Sequence, residues 1–305
     1  MTRDFLKYRF VFIAVSLIII IGGIAYGIAT GYKFDIDFKG GTRIQVDLKE
    51  DFDNNELFDM VKNITGQEPL IQKMTGGNSS VIITTGVISN DVVDNIVSTL
   101  KNTYPNMDEP STKNIQPSYG KELVNSAILA VVVALVLILL YIGVRFKTLG
   151  FNAAITAIIA LAHDVLFIIA IYGIIKFPIN SSFVAVILTV VGYSINDTII
   201  VYDRIRENRR KVTKSKDIRE TINMSVSQTV RRTLLTSLTT ISAITIVYIF
   251  AKIYNQQVLE EFSLPLVIGV FVGTYSSIFV ASSLWCIFEE IREKRIENKK
   301  LKTSK

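Results

Sequence analysis

The sequence predicts an α-helical polytopic membrane protein, with six transmembrane helices and an extracytoplasmic α+β domain between the first two. Three observations carry that expectation. Apolar runs almost free of charge, approaching the roughly 20 residues needed by a spanning helix, recur six times along the chain. Lys and Arg gather at the ends of those runs rather than along them. Between the first and second runs the composition switches abruptly to that of a soluble domain. Half of the 305 residues are hydrophobic and the mean hydropathy is +0.40. A soluble chain of this length would instead scatter its charges along amphipathic elements.

The runs are Phe10 to Ala29, Leu123 to Val144, Leu149 to Ile175, Ile179 to Tyr202, Leu234 to Ala251 and Leu264 to Phe288. Arg3, Lys7 and Arg9 precede the first, as they would a signal peptide. Signal-peptide cores run only about 7–15 residues, so the length marks an uncleaved anchor. The organisation expected is an N-terminus and first span over 1–30, an exposed domain over 31–121, a five-span bundle over 122–288 and a basic tail over 289–305.

Orientation follows from the short flanks. Arg145 and Lys147 follow the second run. Arg204, Arg206, Arg209, Arg210, Lys211, Lys214, Lys216 and Arg219 follow the fourth, and a further basic cluster follows the sixth. Six spans put all of these, with the N-terminal cluster, on one side. The two short connections opposite carry only Lys176 and Lys252. Both termini and the basic loop are therefore expected in the cytoplasm, and 31–121 outside.

Within that exposed segment, Asp35 to Leu48 reads as extended, bent at Gly40-Gly41. Asn54 to Thr65 has helical spacing through Leu57, Val61 and Ile64. Pro69 to Met74 and Ser80 to Thr85 read as a hairpin around Gly76-Gly77-Asn78. Ser89 suits the N-cap of a helix carrying Val93, Ile96 and Leu100, and Thr112 to Gln116 suits a last strand. The order β-α-β-β-α-β is that of a ferredoxin-like domain, a fold that hosts many functions and names none.

Several chemistries are excluded. The single cysteine, Cys286, lies in the last run, and His163 is the only histidine, so neither a disulfide framework nor a multi-histidine or cysteine metal site can form. There is no P-loop and no supported Ser-His-Asp spacing. No metal, cofactor or enzymatic activity is expected. The sequence pI near 9.2 invites a nucleic-acid partner, but the basic residues form no single patch with interleaved aromatics; membrane lipid explains them better.

Asp197 is the leading candidate for chemistry. An ionisable group near a helix centre costs about 2.5–3.5 kcal/mol on insertion scales, so it faces a bundle interior or water. Asn196 and Thr198 extend a polar notch beside it. Asp197 is also close enough to Arg204, about 9 Å along a helix, to be a carboxylate that simply stays wet. Arg232 opens the fifth run, antiparallel to the fourth, and reads either as the partner of Asp197 or, like Arg231, as a flank residue. His163 and Asp164 in the third run suit a relay or lock between spans, or equally an interhelical hydrogen bond. Gly269, Gly273, Ser277 and Ala281 recur every four residues on the sixth run, a small-residue stripe that lets another helix approach. Asp203 to Asn208 suits the start of an amphipathic interfacial helix whose arginines meet lipid headgroups, ahead of a role in coupling the fourth span to the fifth. Phe38, Gly40, Gly41 and Thr42 form either an ordinary strand bend or a joint between membrane and domain.

Four motifs carry a family resemblance. They are Asp37-Phe38-Lys39-Gly40-Gly41-Thr42; Leu161-Ala162-His163-Asp164; Gly192-Tyr193-Ser194-Ile195-Asn196-Asp197-Thr198, continuing to Asp203-Arg204-Ile205-Arg206-Glu207-Asn208; and Gln228-Thr229-Val230-Arg231-Arg232-Thr233-Leu234-Leu235-Thr236-Ser237. Their order and the six-span topology resemble the SecF side of the SecD/SecF family over essentially the whole chain. The resemblance implies a multi-pass protein of a bacterial or archaeal cytoplasmic membrane. It would work in the Sec export machinery with a SecD-like subunit, the SecYEG translocon, YajC and the translocating preprotein as partners. It also implies that Asp197 and Arg232 belong to a path by which a proton gradient promotes translocation. The rival expectations are a proton-driven exporter half for a lipid or small molecule, and a non-transporting scaffold.

Overall fold

The computed structural model describes residues 4–74, 79–145, 151–211, 218–254 and 256–303. The expected turn at Gly76-Gly77-Asn78, together with Lys147, Lys214 and Lys216, lies outside the described residues. The first span is helix α1, Arg9–Thr30. The exposed domain follows as α2 (Ile36–Lys39), β1 (Gly41–Asp47), α3 (Asn54–Thr65), β2 (Leu70–Lys73), β3 (Ser80–Thr85), α4 (Asn90–Thr103) and β4 (Ser111–Ile115). The remaining spans are α5 (Pro117–Arg145), α6 (Phe151–Ile175), α7 (Ser181–Lys211) and α8 (Ile218–Ile253). The last is a continuous rod of α9 (Gln257–Tyr275), a π-helical turn (Ser276–Ala281) and α10 (Ser282–Thr303). All six are long and apolar enough to cross a bilayer, so the protein is a multi-pass membrane protein.

The domain's strands pair antiparallel in the order β2-β3-β1-β4, the arrangement of the split β-α-β unit. Helices α3 and α4 cover one face. Leu57, Val61, Ile96 and Leu100 meet Ile44, Val46, Val81 and Ile83 in a core closed to water. The apolar spacing of both helices places those residues on one stripe. The Asp53 carboxylate accepts the Asn55 N–H at 2.8 Å to start α3, and Gly66, at φ 67°, ends it in the left-handed region.

Two expectations need correction. Asp35 to Leu48 is not one extended stretch: Ile36–Lys39 forms a helical turn, the Phe38 and Lys39 amides bonded back to the Asp35 carbonyl. Tertiary contact holds this turn, since four residues are too few for a helix on their own. Asp203 to Asn208 does not begin a separate interfacial helix either, because α7 continues unbroken to Lys211. Its extension packs on the start of α8, where Asn208 Nδ2 donates to Ser225 Oγ at 2.8 Å and to Gln228 Oε1 at 2.9 Å. That docking gives the amphipathic face of Ile218, Ile222, Ser225 and Val226 a protein partner, so no lipid surface is needed to order it.

In the bundle, α1 lies on α6. A Cβ on Gly23 would meet that of Ala170 at 2.7 Å, and one on Gly173 would meet the Gly23 carbonyl at 2.8 Å. The sixth span is the buried axis: Trp285, Cys286, Ser276 and Ser277 are fully enclosed. Helices α5 and α8 present long rows of exposed apolar side chains.

Candidate functional site in the bundle core

Spans four and six pack along small residues in matching steps. The place where a Gly269 side chain would go is filled by Val190, and a Cβ on Gly273 would touch that of Ser194 at 3.0 Å. One turn further, Ser277 Oγ lies 2.9 Å from Thr198 Oγ1 and donates to the Ser194 carbonyl at 3.2 Å. One turn beyond that, Tyr202 OH donates to the Ala281 carbonyl at 3.2 Å. The stripe of Gly269, Gly273, Ser277 and Ala281 therefore seats α7, and close approach is what small residues permit.

This close packing brings two carboxylates to opposite sides of the sixth span, each fully buried at 0% exposure. Asp164, on α6, is richly bonded. Its Oδ2 accepts from Ser194 Oγ at 2.5 Å and Ser276 Oγ at 2.9 Å, and its Oδ1 lies 3.0 Å from His163 Nδ1. One carboxylate thus ties α6, α7 and the first residue of the π turn together. His163 turns back onto its neighbour even though adjacent helical positions diverge by about 100°, and its Nε2 has no partner among the described residues.

Asp197, on α7, is sparsely bonded. Its Oδ2 accepts from Thr274 Oγ1 at 3.3 Å, with the Ser237 hydroxyl close by, and its Oδ1 has no hydrogen-bond partner among the described residues. Thr274 Oγ1 lies 2.6 Å from Ser237 Oγ, which in turn accepts from Tyr193 OH at 3.3 Å. A buried polar oxygen without a partner is costly, and such a group is suited to gain and lose a proton.

The structure does not bring Arg232 to Asp197. Helix α8 begins at Ile218, so Arg232 lies well inside it and does not open it. Around Arg232, the buried residues of α8 are Thr229, Thr233 and Ser237, four apart. Arg232, one position before Thr233, is turned about 100° away and is exposed. It lines a cleft of ≈ 620 Å³ with Asp203, Arg204, Glu207, Arg210 and Gln228. Asn196 is likewise exposed, beside the buried Asp197. Asn196 and Arg232 thus lie on the outside of this chain while Asp164, His163 and Asp197 lie within it. The hydroxyls of Ser194, Ser237, Thr274 and Ser276 were missed by sequence reasoning. The only signal for them is a weak one, the four-residue recurrence of Thr229, Thr233 and Ser237.

The Phe38, Gly40, Gly41 and Thr42 motif sits at the junction of the exposed domain and the bundle. Gly40 (φ 78°) and Gly41 (φ 142°) adopt conformations that favour glycine. A Cβ on Gly40 would meet Pro117 N at 2.8 Å, and one on Gly120 would meet the Phe38 carbonyl at 2.7 Å. Thr42 Oγ1 donates to Asn114 Oδ1 at 3.0 Å. Beside the motif, the buried Asp37 bonds Lys113 and Ser181. Among the described residues there is no group of three potential metal ligands.

The geometry has counterparts in known proteins. A family described as protein export membrane protein SecD/SecF, C-terminal, matches residues 95–291. A protein translocase subunit SecF from Dictyoglomus turgidum is 35% identical over 94% of this chain and 97% of its own length. A protein translocase subunit SecDF from Bacillus subtilis is 30% identical over 92% of this chain, which spans 37% of that longer protein. The crystal structure of the translocon-associated membrane protein SecDF from Thermus thermophilus superposes with a TM-score of 0.82 at 29% identity, over 95% of this chain and 39% of that one. By sequence and by fold, the chain belongs to the SecD/SecF family of protein-export membrane proteins, as a SecF-type translocase subunit.

Proposed function

We propose that this SecF-type subunit couples proton movement through its bundle to preprotein translocation, with Asp197 as the group that takes up and releases the proton. The observation that carries the reading is the half-bonded carboxylate. Asp197 is wholly buried in a spanning helix, yet one of its oxygens lacks a hydrogen-bond partner among the described residues. Intramembrane acids are expensive and mark ion pathways. A proton binding the free Oδ1 neutralises the carboxylate and weakens its attraction for the Thr274 hydroxyl on the sixth span. Release of the proton restores the charge and the bond. Each charge that crosses is worth about 2.3 kcal/mol per 100 mV, comparable to the strength of a few such contacts.

Asn196 and Arg232 then belong to the boundary with a SecD-type partner, whose presence is supported by the fused SecDF relatives. On that boundary the Arg232 guanidinium is free to meet an acid of the partner, while Asp164 and His163 hold the neighbouring helices. The basic flanks favour both termini in the cytoplasm and the exposed domain outside. SecYEG and the preprotein are the further partners this role requires, and YajC is a further candidate.

The test is preprotein translocation into inverted vesicles carrying the complete complex, with and without a proton gradient, at matched protein levels. Asp197→Asn keeps size and hydrogen bonding but cannot exchange a proton, and should lose the gradient-dependent stimulation. Full stimulation in that variant would remove Asp197 from the proton path.

A further inference from the structure

The exposed domain reaches into the membrane bundle at one buried carboxylate. Asp37, only 3% exposed, divides its oxygens between two bodies. Its Oδ1 accepts from Lys113 Nζ on β4 at 2.7 Å. Its Oδ2 accepts from the backbone N–H of Ser181 at 3.0 Å and from its hydroxyl at 2.6 Å. Ser181 is the first residue of α7, the helix that carries Asp197 about 24 Å further along at 1.5 Å per residue.

Helix α7 does not need this contact in order to start. Asn180 already supplies a local cap, its Oδ1 accepting from Phe183 N at 3.2 Å. A second acceptor brought from 144 positions away in sequence therefore has another task. Asp37 is also unable to follow α7 alone. Its helical turn is braced against the start of α5, with Gly40 on Pro117 and the Phe38 carbonyl on Gly120, while Lys113 holds it to the sheet. A backbone tie between domain and bundle, the bridge of Phe34 to Ile179, stops in the loop before the helix.

We infer that Asp37 is the positioning residue through which displacement of the fourth span is passed to the exposed domain. The inference rests on the proton reading of Asp197 and adds the link by which that event reaches the outside. The link suits an acidic exterior. Burial pushes the Asp37 carboxyl up, but the bonds from Lys113 and Ser181 outweigh it and hold the group below the usual carboxylate range.

The experiment measures two quantities in vesicles carrying the complete complex: gradient-driven proton flux and gradient-dependent preprotein translocation. Asp37→Ala should keep the flux and lose the stimulation of translocation. Lys113→Met and Ser181→Ala, which leave the carboxylate in place and remove one contact each, should lose part of the stimulation with flux unchanged. Assembled variants that keep full stimulation, or that lose flux and stimulation in parallel, would overturn the inference. Asp197→Asn serves as the separate control. If it leaves the flux intact, the proton reading fails, whereas the Asp37 series still reports whether flux and export come apart.

Discussion

Asp164 and Asp197 are equally buried, on opposite sides of one helix, and almost nothing else about them is alike. Asp164 receives two hydroxyls from two other spans and an imidazole from its own, with both oxygens engaged. Asp197 receives one long hydrogen bond and keeps one oxygen unpartnered among the described residues. Burial alone therefore does not identify a working acid. A carboxylate whose lone pairs are taken by fixed donors is held in place and acts as a fastener. One whose surroundings leave a lone pair unanswered can change its protonation without dismantling the bundle.

The sharpest way to break this comparison is to exchange the acids for amides and read stability. Asp164→Asn keeps the volume but turns one acceptor into a donor facing Ser194, Ser276 or His163. With buried groups left unsatisfied at roughly 1–3 kcal/mol each, it should lower the thermal midpoint of the detergent-solubilised complex more than any other change discussed here. If Asp164→Asn unfolds no earlier than Asp197→Asn, the fastener role is wrong. Next in size is Gly273→Leu, which forces a side chain into Ser194 and should cost about 1–3 kcal/mol by overpacking. Its control is Phe271→Leu, because Phe271 is exposed at 66% whereas the adjacent Val272 is itself buried. Equal recovery of both complexes after detergent extraction would argue against tight seating of spans four and six. The smallest effect belongs to Thr274→Val, which removes the hydroxyl within hydrogen-bond distance of Asp197 while keeping the branched shape. It should cost about 1 kcal/mol of stability and yet reduce gradient-dependent export. Unchanged export would mean the Thr274 hydroxyl takes no part in the cycle.

The sequence revealed the spans because charge is largely excluded from hydrocarbon, α3 because its helical spacing is undisturbed, and β3 because a turn signal precedes it. Asp197 stood out for the same reason as the spans. Its neighbours did not. Ser and Thr are unremarkable in membrane helices, so nothing in composition distinguishes Ser276, which bonds an acid, from Ser242, which bonds only its own helix. Depth along the antiparallel fourth and fifth runs, together with the family resemblance, links Arg232 to Asp197 in the sequence. Depth was a fair guide, but the rotation of α8 about its axis, set by the buried row Thr229, Thr233 and Ser237, turned the guanidinium outward. Asp37 was read as part of a strand because four residues of alternating pattern cannot tell a turn of helix from an extended segment.

The matched spacing of spans four and six limits how they can move. Val190, Ser194, Thr198 and Tyr202 meet Gly269, Gly273, Ser277 and Ala281 in register, so the two helices engage like racks with equal teeth. A slide of one or two residues would drive side chains into side chains. The next position that fits lies a full turn away, about 6 Å at 1.5 Å per residue. It would carry Thr274 from Asp197 to the level of Val201 or Tyr193. Relative travel of these helices is therefore stepwise, with its stride written in the repeat of the small residues.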